Sequence, residues 1–384
     1  MRENQRSKSL AGSSTLGLAA RAKALAADGH PVISMAVGEP DFSAPPAVQA
    51  AAVKAVGSGQ VRYTPAGGLP ALRSALAREV SRTRGIEATA AEISVGHSCK
   101  HALANALMVL IEPGDEVLLF RPAWNSYDAQ IGFAGGTPVW VPEGPDLRPD
   151  LDAIAAAITP RTKGMILNSP CNPSGVIWTR AEIEALGELA ERHDLWLVSD
   201  EVYQRLVYTG AEFLSPVTLS PALRARTVIV DGASKAFAMT GYRIGYAMAP
   251  APIAEAIERL TSQTTGCPNY ISQMAWLAAL ENEPAEVEMM RRQFERRRDV
   301  LIPGLRKLGL EVPSPGGAFY AFPRVTEHLD GRTVDQFCAA LLEQEHLAVV
   351  PGTTFGSTEH IRLSYALGLE DIEQALVRLG RFLG

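Results

Sequence analysis

Cysteine is scarce. The 384 residues hold four, Cys99, Cys171, Cys267 and Cys338, and none fall in a C-x-x-C spacing. That argues against a disulfide framework and against a cysteine-rich zinc site. It suits a reducing compartment, so a cytoplasmic location and no metal are expected. Long apolar runs are missing too. None approaches the ~18 residues of a membrane span, so no membrane partner is expected. Basic excess is absent: 36 Lys and Arg face 42 Asp and Glu, a net charge of -6. Nothing therefore points to nucleic acid as a partner. The first nine residues are polar and lead into no apolar stretch, which reads as a frayed tail rather than a signal peptide.

What is present reads as a globular chain, with 47% hydrophobic and 20% charged residues. Its length suggests two structural domains. From Ile93 onward, short β-branched or apolar runs alternate with helical stretches. Strands are expected at Ile93 to Val95, Val117 to Phe120, Thr137 to Val141, Gly164 to Asn168, Leu195 to Ser199 and Thr227 to Val230. Thr179 and Glu182 form a capping box ahead of one intervening helix. Such alternation predicts an α/β fold, a largely parallel sheet flanked by helices. Ligands of these sheets bind past the carboxyl ends of the strands. Asn172, Asp200 and Lys235 all fall there. A lysine just past a buried strand loses hydration, which lowers its pKa and frees an amine that attacks an aldehyde. The turn Gly96 to Lys100, entering a helix, is a natural anion cup. Further on, a long charged helix runs through Arg291, Arg296 and Arg298, whose arginines read as a solvated face. A smaller α+β unit follows, carrying Arg362 in a run of β-type residues.

The segment Ser234-Lys235-Ala-Phe-Ala-Met-Thr-Gly-Tyr-Arg243-Ile-Gly-Tyr246 resembles the cofactor-lysine segment of the class I/II pyridoxal-phosphate (PLP) aminotransferases of fold type I. The likeness is nearest to the bacterial aspartate aminotransferase-like branch. It extends over nearly the whole chain, through Gly38-Glu-Pro-Asp-Phe42, Asn172-Pro-Ser-Gly175 and Asp200-Glu-Val-Tyr203. The resemblance implies pyridoxal 5'-phosphate held on Lys235, which also moves the proton as acid and base. It implies that Asp200 faces the ring nitrogen, with Tyr203 and Asn172 at the phenolic oxygen. Ser98, Cys99, Lys100, Ser234 and Arg243 would lie at the phosphate, Trp124 on the ring, and Tyr63 at the phosphate of a partner subunit. Substrate would meet Gly38, Trp124, Asn172 and Arg362, the last gripping the α-carboxylate.

Under this likeness the chain is expected to form a homodimer with shared sites. Its large cofactor domain would span 44–285, and its small domain 1–43 and 286–384. The substrates would be an amino acid, first of all aspartate, and a 2-oxo acid such as 2-oxoglutarate; aromatic amino acids or prephenate are the alternative. Gly232 departs from the many relatives with a hydroxyl residue three before the lysine. Among rival readings, another PLP reaction could use the same groups, although Arg362 would anchor the carboxylate that a decarboxylase must release. The aminotransferase-like half of a transcription regulator needs an N-terminal DNA-binding domain, for which too few residues precede Gly38. A Ser234–Lys235 hydrolase lacks an evident oxyanion turn.

Overall fold

The computed structural model describes residues 2 and 14–384, so the polar tail read from the first residues lies outside the described part. Seven strands form the main sheet: β2 (Ile93–Gly96), β3 (Glu116–Phe120), β4 (Thr137–Val141), β5 (Thr162–Asn168), β6 (Trp196–Asp200), β7 (Thr227–Gly232) and β8 (Gly245–Met248). Their order is β2-β8-β7-β6-β5-β3-β4. Only β8 runs against its neighbours, β2 and β7. A parallel sheet is covered on both faces, which explains why its strands are apolar runs and not alternating ones. Within β3, Val117 and Leu119 join one core with Val198 and Val228, while Leu118 and Phe120 join another with Leu197 and Ile183.

Local chemistry ends the helices where the sequence signals them. Thr179 and Glu182 close the capping box of the Arg180–Arg192 helix, and Thr333 with Gln336 does the same for Val334–Glu345. Such reciprocal bonds satisfy amides that have no partner in the first turn. Pro70 opens the Pro70–Arg84 helix, and Gly85 stops it in the left-handed region at φ 66°.

The two ends of the chain meet in short sheets. Strand β1 (Ile33–Ser34) pairs in parallel with β10 (Leu347–Ala348), while β12 (Ile361–Ser364) lies between β11 (Val350–Pro351) and β9 (Tyr320–Ala321). Ala22 and Leu25 of the Ser14–Ala27 helix pack on Leu342 and Ala348. The long helix Ala285–Lys307 differs from the solvated-face reading. Arg297 is buried and grips Asp41 with both Nη atoms at 2.7 Å. Arg291 and Arg298 are half-buried, and Arg296 is exposed. An arginine stem covers apolar surface while its head finds a carboxylate, so spacing alone does not show which arginines turn inward.

Candidate active site

A cleft of about 950 Å³ opens at the carboxyl ends of β5, β6 and β7, against the short sheets. Register builds its floor. Asn168 of β5 pairs with Asp200 of β6, and Asp200 with Val230 of β7. The Asn168 amide side chain donates to the Asp200 main-chain oxygen (3.0 Å) and accepts from the Asn172 amide (2.8 Å). Three strand ends are thus tied to one line.

Lys235 sits in the short Ala233–Ala236 helix after β7 and donates from Nζ to the Gly38 carbonyl at 2.5 Å. Burial pushes its amine down to about 8, against the opposing pull of Glu39. Asp200 is 2% exposed. It accepts from the Tyr127 hydroxyl at 2.7 Å and from the Cys99 thiol at 3.8 Å. Burial pushes its carboxyl up to about 6, and the Tyr127 bond works the other way. The cleft therefore holds an amine and a carboxylate whose burial draws their proton affinities together, the arrangement that acid–base chemistry uses.

The other wall comes from the chain ends. Arg362 of β12 donates to Asn172 Oδ1 (3.0 Å) and the Ala36 carbonyl (2.8 Å). It lies over the rings of Tyr320 and Phe355, and its buried Nε has no partner. A desolvated guanidinium with a spare donor is suited to a carboxylate. The Tyr203 hydroxyl meets that of Tyr320 at 2.9 Å. A Cβ at Gly38 would stand 2.7 Å from the Tyr320 hydroxyl oxygen, so any side chain there would push that buried ring aside.

The turn of residues 96–100 leads into the Cys99–Leu110 helix. Ser98 caps it, accepting from the His101 amide at 3.2 Å. Ser98, Cys99, Lys100, Ser234 and Arg243 all line the cleft. Lys100 lies 4.6 Å from the Trp124 ring, and partial burial followed by the Arg243 charge lowers its pKa. Trp124 is half-buried and lines the cleft, touching Tyr127 edge-on. At Gly232 a Cβ would meet the Gly245 Cα and the Ile244 carbonyl at 3.1 Å, so a hydroxyl side chain would crowd backbone there.

The structure thus brings together every sequence-predicted residue except Tyr63, which is 98% exposed and outside this chain's cleft. Sequence reasoning missed Tyr127, Tyr320 and the Asp41–Arg297 pair. The signal for Tyr127 was available: a tyrosine three residues after Trp124, on the inner side of the next helix, needs a buried partner for its hydroxyl.

This fold and cleft define an α/β enzyme whose strand ends present a desolvated amine, a buried carboxylate and a carboxylate-binding arginine. The family model for class I and II aminotransferases matches residues 30–379. The aspartate aminotransferase of Geobacillus stearothermophilus is 44% identical over 389 residues, covering 100% of this chain and 99% of that protein. A probable aspartate/prephenate aminotransferase of Thermus aquaticus is 42% identical, with 99% of each chain covered. The Thermus thermophilus aspartate aminotransferase solved with maleate superposes with a TM-score of 0.95 at 41% identity, covering 100% of both chains. The chain belongs to the class I and II aminotransferase family, and it is an aminotransferase of fold type I. No helix among the described residues is long and apolar enough to cross a membrane.

Proposed function

We propose that this aminotransferase moves the amino group between L-aspartate and a 2-oxo acid such as 2-oxoglutarate, using pyridoxal 5'-phosphate carried by Lys235. The observation that carries the reading is the meeting of Lys235, Asp200 and Arg362 in one cleft. The residues present fit the cofactor. An amine whose proton is loosened by burial suits an aldehyde. A buried carboxylate suits a protonated ring nitrogen, and a helix N-terminus with Arg243 suits a phosphate. When bound, the cofactor supplies an electron sink for the substrate Cα.

The chain's own groups do the rest. Arg362 grips the α-carboxylate with the donor it leaves free. Lys235, released from Gly38, takes the proton from Cα and returns it across the transfer. Asp200, oriented by the Tyr127 hydroxyl, would hold the proton on the ring nitrogen. Asn172 and Tyr203 would hold the phenolic oxygen and Trp124 the ring, since all three line the cleft. Ser98, Cys99 and Ser234 would join Arg243 at the phosphate, and Lys100, lining the cleft beside the Trp124 ring, would meet the distal carboxylate of aspartate or 2-oxoglutarate. The aspartate choice is supported by the names of the relatives, and by the dicarboxylate maleate bound to one of them. The prephenate reading is supported by the Thermus aquaticus relative. A panel of amino donors against 2-oxoglutarate decides between them, and aspartate is expected to give the highest kcat/KM. Failure of aspartate beside a working aromatic donor would reverse the assignment.

We also propose a homodimer with shared sites, and a division into 44–285 and 1–43 plus 286–384. The exposure of Tyr63, with Val53, Val56 and Val61 also exposed, supports the first. Pairing of β1 with β10 supports the second. Mixing Lys235→Ala with an impaired Tyr63→Phe protein should restore activity, because one hybrid site escapes both changes. No recovery after verified exchange would mean sites built from single chains.

A further inference from the structure

Behind Asp200, on the opposite face of the sheet, lies a buried charge cluster that the proposed reaction does not use. Successive side chains of a strand point to opposite faces. Asp200 faces the cleft, so Glu201 turns away from it. The parallel register of β6 and β7 then sets Glu201 beside Asp231. Arg84, the last residue of the Pro70–Arg84 helix, reaches between them. Its Nε and Nη2 donate to Glu201 Oε2 at 3.0 and 2.8 Å, and Nη2 also donates to Asp231 Oδ2 at 3.1 Å. Ser199 donates to Glu201 Oε1 at 3.0 Å, Ser215 donates to the same atom, and the Gly232 amide donates to Asp231 Oδ1 at 2.7 Å. The side chains of Arg84 and Glu201 are 1% and 0% exposed.

Above about pH 6, to which burial pushes the Asp231 carboxyl up, one cation between two carboxylates leaves a buried charge of minus one. Well-packed apolar groups would serve stability as well or better, since desolvating such ions offsets most of their attraction. The cluster joins the ends of the two strands that carry Asp200 and lead to Lys235. Its excess charge acts through low-dielectric protein, where it is screened far less than at the surface.

We propose that the Arg84–Glu201–Asp231 triad positions and polarises the cofactor site. Its net negative charge behind Asp200 favours the proton on the bound cofactor, and Arg84 locks the two strand ends together. This rests on the PLP reading above. The Glu201 charge is among the influences that raise Asp200. Around Asp200 stand Tyr127 and Cys99 from neighbouring helices, Cys171 after β5, Tyr203 beyond β6, and Glu201; Lys235 and Asp231 of the β7 segment act on the adjoining Cys99. Around the triad stand Tyr246 of β8 and Glu79, which is bonded to Arg205.

The test is a spectroscopic titration of the holoenzyme and its variants. Glu201→Gln and Asp231→Asn keep the shape but each removes one negative charge and turns one acceptor oxygen into a donor; at Glu201 the Ser199 and Ser215 hydroxyls can turn to accept from it. Both should lower the pH midpoint of the visible band of bound pyridoxal 5'-phosphate, by about half a unit to one unit. Both should also weaken its binding, read from quenching of tryptophan fluorescence. Glu201→Asp, which keeps the charge, should return the midpoint towards that of the unsubstituted protein. Folding of each variant is checked by circular dichroism. Asp231→Asn is the safer carrier, because the Asp231 side chain is 10% exposed. A midpoint that stays fixed in the folded Gln and Asn variants, with only the unfolding temperature lowered, would reduce the triad to a structural tie. No visible band in the unsubstituted protein supplied with the cofactor would overturn the cofactor reading and this inference together.

Discussion

The two walls of the cleft are built in different ways. The sheet wall hangs on strands of five to seven residues, whose main-chain ladder sets Asn168, Asp200 and Val230 side by side. The opposite wall hangs on strands of two to four residues and on single side-chain bonds. Asp41–Arg297, Lys235–Gly38 and Arg362–Ala36 are the ties there. A ladder holds a group fixed through many shared bonds. A lone tie can be exchanged for a bond to substrate. The difference assigns the chemistry to the sheet wall and the grip on substrate to the other, and substitutions can break that division.

The largest effect is expected at Lys235→Ala, with transamination falling below detection. Borohydride reduction of the native holoenzyme and peptide mapping should label Lys235, and a label on another lysine would end the assignment. The pH sense follows from the amine's depressed value. It is protonated below about 8 and free above it, so capture of cofactor by apoprotein should speed up as pH rises through 8 and then level off. Asp200→Ala comes next. It should retain cofactor but slow single-turnover proton removal by about a thousandfold, the scale of a lost preorganised charge contact. A near-normal single-turnover rate would contradict the role.

On the opposite wall, losses should fall mainly on KM. Arg362→Lys keeps the charge but loses the fork, so KM should rise about 10- to 100-fold. A fall in kcat with KM unchanged would place Arg362 with the chemistry and blur the division. Arg297→Met frees Asp41 and slackens the Gly38 loop. A KM increase of roughly fivefold is expected, equal to about 1 kcal/mol of lost positioning. Lys100→Ala should be the mildest and the most selective. KM for aspartate and 2-oxoglutarate should rise about tenfold, as for one hydrogen bond to a charged group, while an aromatic donor is spared. Equal loss for all donors would instead assign Lys100 to the phosphate.

The same division governs what could be read from the sequence. The sheet wall was legible because each strand is one local apolar run, and the residue after it must lie at the sheet's edge. Asn172, Asp200 and Lys235 are therefore placed by counting. Contacts between distant side chains were not legible. Arg297 and Asp41 are 256 residues apart, and Arg84 and Glu201 are 117 apart. In the sequence each of these arginines is merely a charged residue on a helix, and nothing local shows that it turns inward. The reading of the long helix as a solvated face failed at Arg297 for that reason. Gly232 was noted as a missing hydroxyl, and only the packed backbone of Ile244 and Gly245 shows how closely a side chain there would be crowded.

The alignment of β5, β6 and β7 has a consequence for how the protein is made. A slip of one residue in β6 would turn Asp200 to the far face and carry Glu201 into the cleft. Far-ultraviolet dichroism would barely register the error, since the strand content is unchanged. Activity regained after denaturation therefore counts only chains that have zipped in step. Because both faces of β6 are buried, the register is strongly specified, so a refolding yield measured by turnover should match one measured by ellipticity, and a shortfall would reveal chains caught one notch out of line.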